Sequence, residues 1–257
     1  NGWAIAGEKF PVDAENVQAF IKLLAGLRTV EFVKDVATAP DFAAYGLDAP
    51  VRQIIVRSAA GDTNAVIAAL AFGTNQDNKI FVRRADEDFV YAVTAADFNT
   101  LMALYGEAWE FRDRQIWNFS VTNVAQLTLH QDGQTRQLIR TGENKWSLGA
   151  GSQGFVEGKY IEQSAQQLSQ LTAYYWAGRN VTDLEQAGFN TNKLQITVEL
   201  KTGEKLAVNF GSETPRLQSA LAATTFDGER WAFVFPPGPY LFVLSYLTIP
   251  VPQGGTP

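Results

Sequence analysis

Six residues with the spacing of a phosphate loop stand near the middle of the chain. Gly149-Ala150-Gly151-Ser152-Gln153-Gly154 follows the strand-like "KWSL" and fits the G-x-G-x-x-G pattern that seats a dinucleotide pyrophosphate. That chemistry needs a helix starting at the third glycine, so that its free N–H groups face the phosphates, and an acid ~20 residues later for the ribose hydroxyls. Here "FVEGK" separates the third glycine from the next helical pattern, and the later stretch reads "AYYWAGR", with no Asp or Glu. The expectation is an exposed strand-to-helix connection that takes no nucleotide, and no cofactor is predicted. His130 is the only histidine and lies in the strand-like "QLTLHQDG". With no second base there is no Ser–His–Asp set, and with no H-E-x-x-H there is no zinc site of that kind. The chain has no cysteine, which removes thiol nucleophiles, disulfides and thiolate metal sites.

The remaining reactive groups are acids and aromatics. Asp86-Glu87-Asp88 sits between two strand-like runs and reads as a solvated turn. Glu107, Glu110 and Asp113 alternate with Arg112, Arg114, Trp109, Phe111 and Trp117. Two carboxylates about 5–10 Å apart would suit glycoside hydrolysis, but the interleaved arginines point to ion pairs where two parts of the chain meet. Tyr174, Tyr175 and Trp176 could stack on a sugar or a peptide; the pattern fits a core strand with one exposed face. These three, with Arg112 and Arg114, are the candidate binding residues. No catalytic residue and no metal ligand is assigned. "PPGPY" (236–240) reads as a turn into a last buried segment, and Asn118-Phe119-Ser120 and Asn180-Val181-Thr182 are formal glycosylation sequons.

Bulk properties narrow the partners. The net charge is −6 over 257 residues, with no basic run longer than "VRR" or "RDR", which argues against nucleic acid. At 46% hydrophobic and 19% charged, the composition is that of a folded globular chain, except for the tail 251–257. The run "YLFVLSYLTIP" is too short for the ~20 residues of a membrane span and reads as buried.

The elements that must position these residues are written twice. "WAIAGEKFPVDAENVQAFIKLLAGL" from Trp3 aligns with "WSLGAGSQGFVEGKYIEQSAQQLSQL" from Trp146. With one extra loop residue in the second copy, Val17, Ile21, Leu24 and Leu27 fall on Ile161, Ala165, Leu168 and Leu171, one face of an amphipathic helix. "TVEFV" then meets "AYYWA", "AAYGLDAP" meets "EQAGFNTN", "RQIIVRSAAGD" meets "LQITVELKTGE", "LAFG" meets "AVNFG", and "KIFVRR" meets "ERWAFVF". Gly46 and Gly188 are expected as left-handed helix caps. Each copy predicts strand, loop, helix, strand, short helix, four strands and a final helix. Between the copies, Asp132-Gly133 and Gly142-Glu143 predict hairpin turns in a three-stranded meander. Short turn-rich links favour antiparallel pairing, so the fold class is α+β, a tandem duplication with mainly antiparallel sheets and a few helices. The predicted lobes are 1–118 and 119–250, the second including the meander, with a flexible tail 251–257. Trp3 and Trp146 are expected in equivalent buried places. Equivalence also predicts an upstream hairpin ahead of Trp3 and, in this chain, an open edge strand at Trp3–Ile5.

Trp3-Ala4-Ile5, the helix from Leu24 to Leu27, Tyr45-Gly46-Leu47-Asp48-Ala49-Pro50, Phe72-Gly73 and the run Phe111 to Phe119 together resemble an uncharacterised bacterial family, domain of unknown function 4340. The second copy departs from it, with Gly188-Phe189-Asn190 in place of "GLD" and no proline. The resemblance implies a periplasmic domain tethered to the inner membrane by an N-terminal anchor. It also implies genes beside an ABC transporter permease, its ATPase and a gliding-motility-type auxiliary subunit. On that basis the chain is expected to be a non-enzymatic envelope accessory or interaction module. Its partner would be an envelope protein such as the permease or the auxiliary subunit, with membrane contact only through an anchor outside this chain. The alternative is a soluble domain binding glycan or lipid in a groove between the lobes.

Overall fold

The structure, a computed structural model, describes residues 2–58, 65–181, 188–189, 194–226 and 228–249. The expected tail 251–257 lies outside them. The chain divides into two compact units, Asn1–Arg112 and Asp113–Pro257. Both are antiparallel sheets with a few helices, so the class is α+β.

The first unit opens with α1 (Ala14–Ala25), capped by Asp13, whose carboxylate accepts from the N–H groups of Glu15 and Asn16, both at 3.0 Å. β1 (Glu31–Lys34) leads to α2 (Ala39–Ala44), where Thr38 and Asp41 form a capping box. Then come β2 (Arg52–Arg57), β3 (Val66–Gln76), β4 (Lys79–Arg84), β5 (Val90–Thr94) and α3 (Ala95–Tyr105). Asp77 and Asn78, both at positive φ, make the two-residue turn between β3 and β4. The sheet order is β1-β5-β4-β3-β2. Its faces bury separate cores. Phe72, Ile80, Val82, Val93 and Phe98 pack with Leu24 and Leu27 on one side, and Phe81, Val90 and Ala92 pack with Phe42 and Leu47 on the other. Successive residues of a strand point to opposite faces, so a sheet covered on both sides reads as an unbroken apolar run such as Ile80-Phe81-Val82.

The second unit begins with the predicted meander: β6 (Val124–Gln131), β7 (Gln134–Gly142) and β8 (Lys145–Leu148). Asp132-Gly133 forms the first turn, with both φ positive. The second turn falls one residue later than expected, at Glu143-Asn144, because Gly142 is still paired with Lys145. α4 (Gly158–Ser169), β9 (Tyr175–Arg179), β10 (Leu194–Leu200), β11 (Lys205–Thr214), β12 (Ser219–Phe226), β13 (Glu229–Val234) and α5 (Pro237–Phe242) follow, and a π-helical turn at Val243–Leu247 ends the described helices. The sheet order is β8-β7-β6-β10-β11-β12-β13-β9.

Five strands in each unit share one order. β1-β5-β4-β3-β2 in the first corresponds to β9-β13-β12-β11-β10 in the second. The registers agree as well: Arg52 to Val56 lie opposite Phe72 to Ala68, and Leu194 to Val198 lie opposite Phe210 to Leu206. The glycines behave alike. Gly46 and Gly188 have φ of 67° and 78°, and each lies against the residue that follows the "FG" glycine, Thr74 and Ser212. A Cβ on Gly73 would stand 2.1 Å from the Tyr45 carbonyl oxygen, and one on Gly211 would stand 3.0 Å from that of Gly188.

Three expectations are corrected. The counterpart of "KIFVRR" (β4) is β12, not Glu229–Phe235, whose place is that of β5. β12 is alanine-rich and buried at Ala220, Ala222 and Ala223, so it lacks the β-branched pattern that marks β4. Trp3 is 40% exposed whereas Trp146 is 7% exposed, so the two do not occupy equivalent buried places. Trp3–Ile5 belongs to no strand, because no strand among the described residues pairs with it. The short helix expected over 185–192 falls mostly outside the described residues.

Candidate functional site

β9 is an outer strand of the second sheet, paired with β13 alone among the described residues. Alternation along it separates Tyr175 from Trp176, and Tyr174 lies just ahead of the strand. Trp176 turns inward, 6% exposed, with its ring 5.1 Å from Trp231 and 6.2 Å from Phe233. Tyr174 and Tyr175 are 46% and 47% exposed, their ring centroids 5.8 Å apart. Arg114 fixes the start of the strand: its Nη1 donates to the Tyr174 carbonyl at 3.1 Å, and its own carbonyl accepts from Ala173 N–H at 2.7 Å. Arg179 and Glu229 close the far end with paired hydrogen bonds at 2.9 Å, and the Arg179 guanidinium lies 5.3 Å from the centre of the Trp231 ring. Of the predicted residues, the structure therefore joins Arg114, Tyr174 and Tyr175 at one edge and places Trp176 in the core beneath them. Arg112 belongs to the first unit, where it is buried, bridges Val12 and lies over the Phe10 ring.

The first unit carries a matching feature that sequence inspection passed over. β1 corresponds to β9 and, among the described residues, also pairs with a single strand, β5. Phe32 on it is 53% exposed, with ring centroids 5.5 Å from both Phe89 and Tyr91. The Tyr91 hydroxyl donates to the Glu87 carboxylate at 2.7 Å, a bond that pushes the phenol pKa up. The signal was "FVY" after the acidic turn, which places Phe89 and Tyr91 on one face.

The acids have local partners. Arg84 pairs with Asp86 and Glu87, both at 2.9 Å, and Arg83 with Asp88 at 3.3 Å. Glu110 accepts from the Glu107 N–H at 2.8 Å, capping the 3-10 turn Ala108–Phe111, and burial pushes its carboxyl above the usual range. Asp113 accepts from Gln115 N–H at 2.9 Å. His130 Nδ1 lies 2.9 Å from the Thr135 hydroxyl, its cross-strand neighbour. Among the described residues no cluster of three or more His, Asp or Glu could hold a metal ion, and no helix is long and apolar enough to cross a membrane.

The glycine loop extends the sheet. Gly149 N–H donates to the Gln137 carbonyl at 2.9 Å, and Gln137 N–H donates to the Ser152 hydroxyl at 2.8 Å. Gly149 is buried, unlike the rest of the expected exposed loop, and a Cβ there would meet the Gln137 side chain at 2.7 Å. Gly151 and Gly154 supply positive φ, and α4 starts only at Gly158. The glycines thus serve the backbone path alongside β7.

These elements define a class: a two-sheet α+β protein with exposed aromatic side chains, Phe32 and Tyr175, on outer strands. The chain matches the family described as "Domain of unknown function (DUF4340)" over residues 3–192, and it belongs to that family. No curated protein and no solved structure matches it.

Proposed function

We propose that this protein is a non-enzymatic accessory module of the bacterial envelope that binds another protein through its aromatic outer strands. The supporting observation is their recurrence: β1 and β9 hold the same position in their sheets, and each presents a half-exposed ring, Phe32 on β1 and Tyr175 on β9, with exposed Tyr174 just ahead of β9. Rigid aromatics on outer strands are the usual anchors of protein–protein contact. The acids contribute to turns, caps and ion pairs, which favours binding over acid–base catalysis. Family membership extends the proposal: a periplasmic location, an inner-membrane anchor, and an ABC transporter permease or its auxiliary subunit as partner. The shared strand order, register and glycine contacts further support descent of both units from one duplicated ancestor.

The test is site-specific photo-crosslinking in cells, with a photoreactive phenylalanine at Tyr175 and at Phe32 of the full-length protein. An adduct with a membrane transporter subunit, lost when the probe is moved to buried Trp176, is the expected result. Adducts with carbohydrate or lipid only, or none at either site, would refute the proposal.

A further inference from the structure

β2 is the outer strand at the other side of the first sheet, and among the described residues it pairs with β3 alone. Its counterpart β10 is not an outer strand. β6 lies against β10 from Leu194↔Gln131 to Leu200↔Val124. The registers make Ile54 and Val56 the equivalents of Ile196 and Val198, and Leu129 and Leu127, both fully buried, stand opposite those two. β2 therefore corresponds to an inner strand and has, among the described residues, no second neighbour.

Trp3 supplies a second observation. Trp146 is held between the meander and a helix: the Arg140 guanidinium of β7 lies 4.7 Å from its ring, and its indole N–H donates to Glu162 of α4 at 2.9 Å. Arg140 is itself bonded to Glu162 at 2.8 Å and to the Val124 carbonyl at 2.8 Å. Trp3 opens its unit at the same point of the repeat but is 40% exposed and in no strand. One element would account for both the open β2 edge and the exposed Trp3: a counterpart of β6 and β7.

We propose that in the full-length protein an antiparallel meander of the same polypeptide, lying ahead of Trp3 as β6–β8 lie ahead of α4, adds to the β2 edge. One strand runs antiparallel to β2 with apolar residues opposite Ile54 and Val56. The next strand pairs with Trp3–Ile5 and covers the indole. A second copy of this chain is a poor occupant. Fully overlapped antiparallel β2–β2 pairing would set Arg52 against Arg57 twice, and like charges directly opposite are destabilising.

The experiment compares the full-length polypeptide with the 257-residue chain by hydrogen exchange and tryptophan emission. In the full-length protein the amides of residues 52–57 are expected to exchange on the order of 100-fold more slowly, since a paired strand opens only with its sheet. Trp3 emission, read as the difference from Trp3→Phe, is expected to move to the blue. Three outcomes would each overturn the proposal. The first is equal exchange at 52–57 in both proteins. The second is protection in the 257-residue chain that rises with its own concentration alongside a dimer in sedimentation, which makes a second copy the occupant. The third is a sequence ahead of Trp3 with no two alternating apolar stretches joined by a turn.

Discussion

Arg136→Met tests whether a buried cation organises the second unit. The Arg136 side chain on β7 is 2% exposed. Its Nη1 donates to the carbonyls of Leu247 at 3.2 Å and Thr248 at 2.6 Å, and its Nη2 donates to the Phe155 carbonyl. One guanidinium thus ties β7 to the end of the last helical turn and to the loop that follows β8. Burial lowers its pKa, the mark of a charge held at a desolvation cost. Methionine retains the apolar stem and removes the fork. Three carbonyls then lose their donor, at about 1–3 kcal/mol each, while relief of the buried charge returns several kcal/mol. The two effects oppose, and with three acceptors orphaned at once we expect the loss to exceed the relief by about 2–4 kcal/mol. Urea unfolding followed by tryptophan emission measures this, with hydrogen exchange at residues 243–249 locating it. A change under about 1 kcal/mol, or unaltered exchange at 243–249, would show that Arg136 is a passenger in the core.

Three further outcomes are expected. Asp41 titrates at about 2, because the Thr38 N–H and hydroxyl and then Lys34 stabilise its carboxylate. A depressed folded pKa gives stability that is present above the ordinary carboxylate value and lost as pH falls from about 4 through 2; an NMR midpoint near 4 for Asp41 would contradict it. Gly73→Ala should destabilise the first unit by about 3 kcal/mol or more, since the new methyl meets a backbone oxygen at 2.1 Å, whereas Gly238→Ala has nothing within 4 Å and should leave thermal unfolding unchanged. Millimolar NAD or ATP should not raise the melting temperature, since binding to the native state would stabilise it; a rise of several degrees would restore the nucleotide interpretation of residues 149–154.

Much of the strand framework was legible because its markers are local. The "FG" pairs inside β3 and β11, where the register shifts, the alternation in "LQITVEL" and the Asp132-Gly133 turn each encode their own geometry. β12 was misplaced because alanines between two larger strands carry no propensity signal; their size is set by the neighbours they pack against. Trp3 was misjudged because an indole is buried by what surrounds it, and the Arg140–Glu162 clamp on Trp146 has no trace in the residues around Trp3. At the candidate site, alternation separates Trp176 from Tyr175 only once the strand is known to begin at Tyr175, which leaves Tyr174 outside it. Arg136 and the Phe32 cluster were missed for the same reason: both depend on partners many residues away.

The pairing of β6 with β10 has a consequence for synthesis on the ribosome. β6 meets its partner across the Gln131↔Leu194 end of the ladder. At the usual 5–20 residues per second, about 60 residues must emerge between them, so β6 waits roughly 3–12 s for its mate. During that interval the nascent meander has one side closed by β7 and the other open, with Leu127 and Leu129 uncovered. The second unit is therefore most prone to mispairing while it is half-translated. Its vulnerability in the cell lies in the pace of elongation between codons 132 and 193, where slower translation prolongs the exposure even though the finished protein is unchanged.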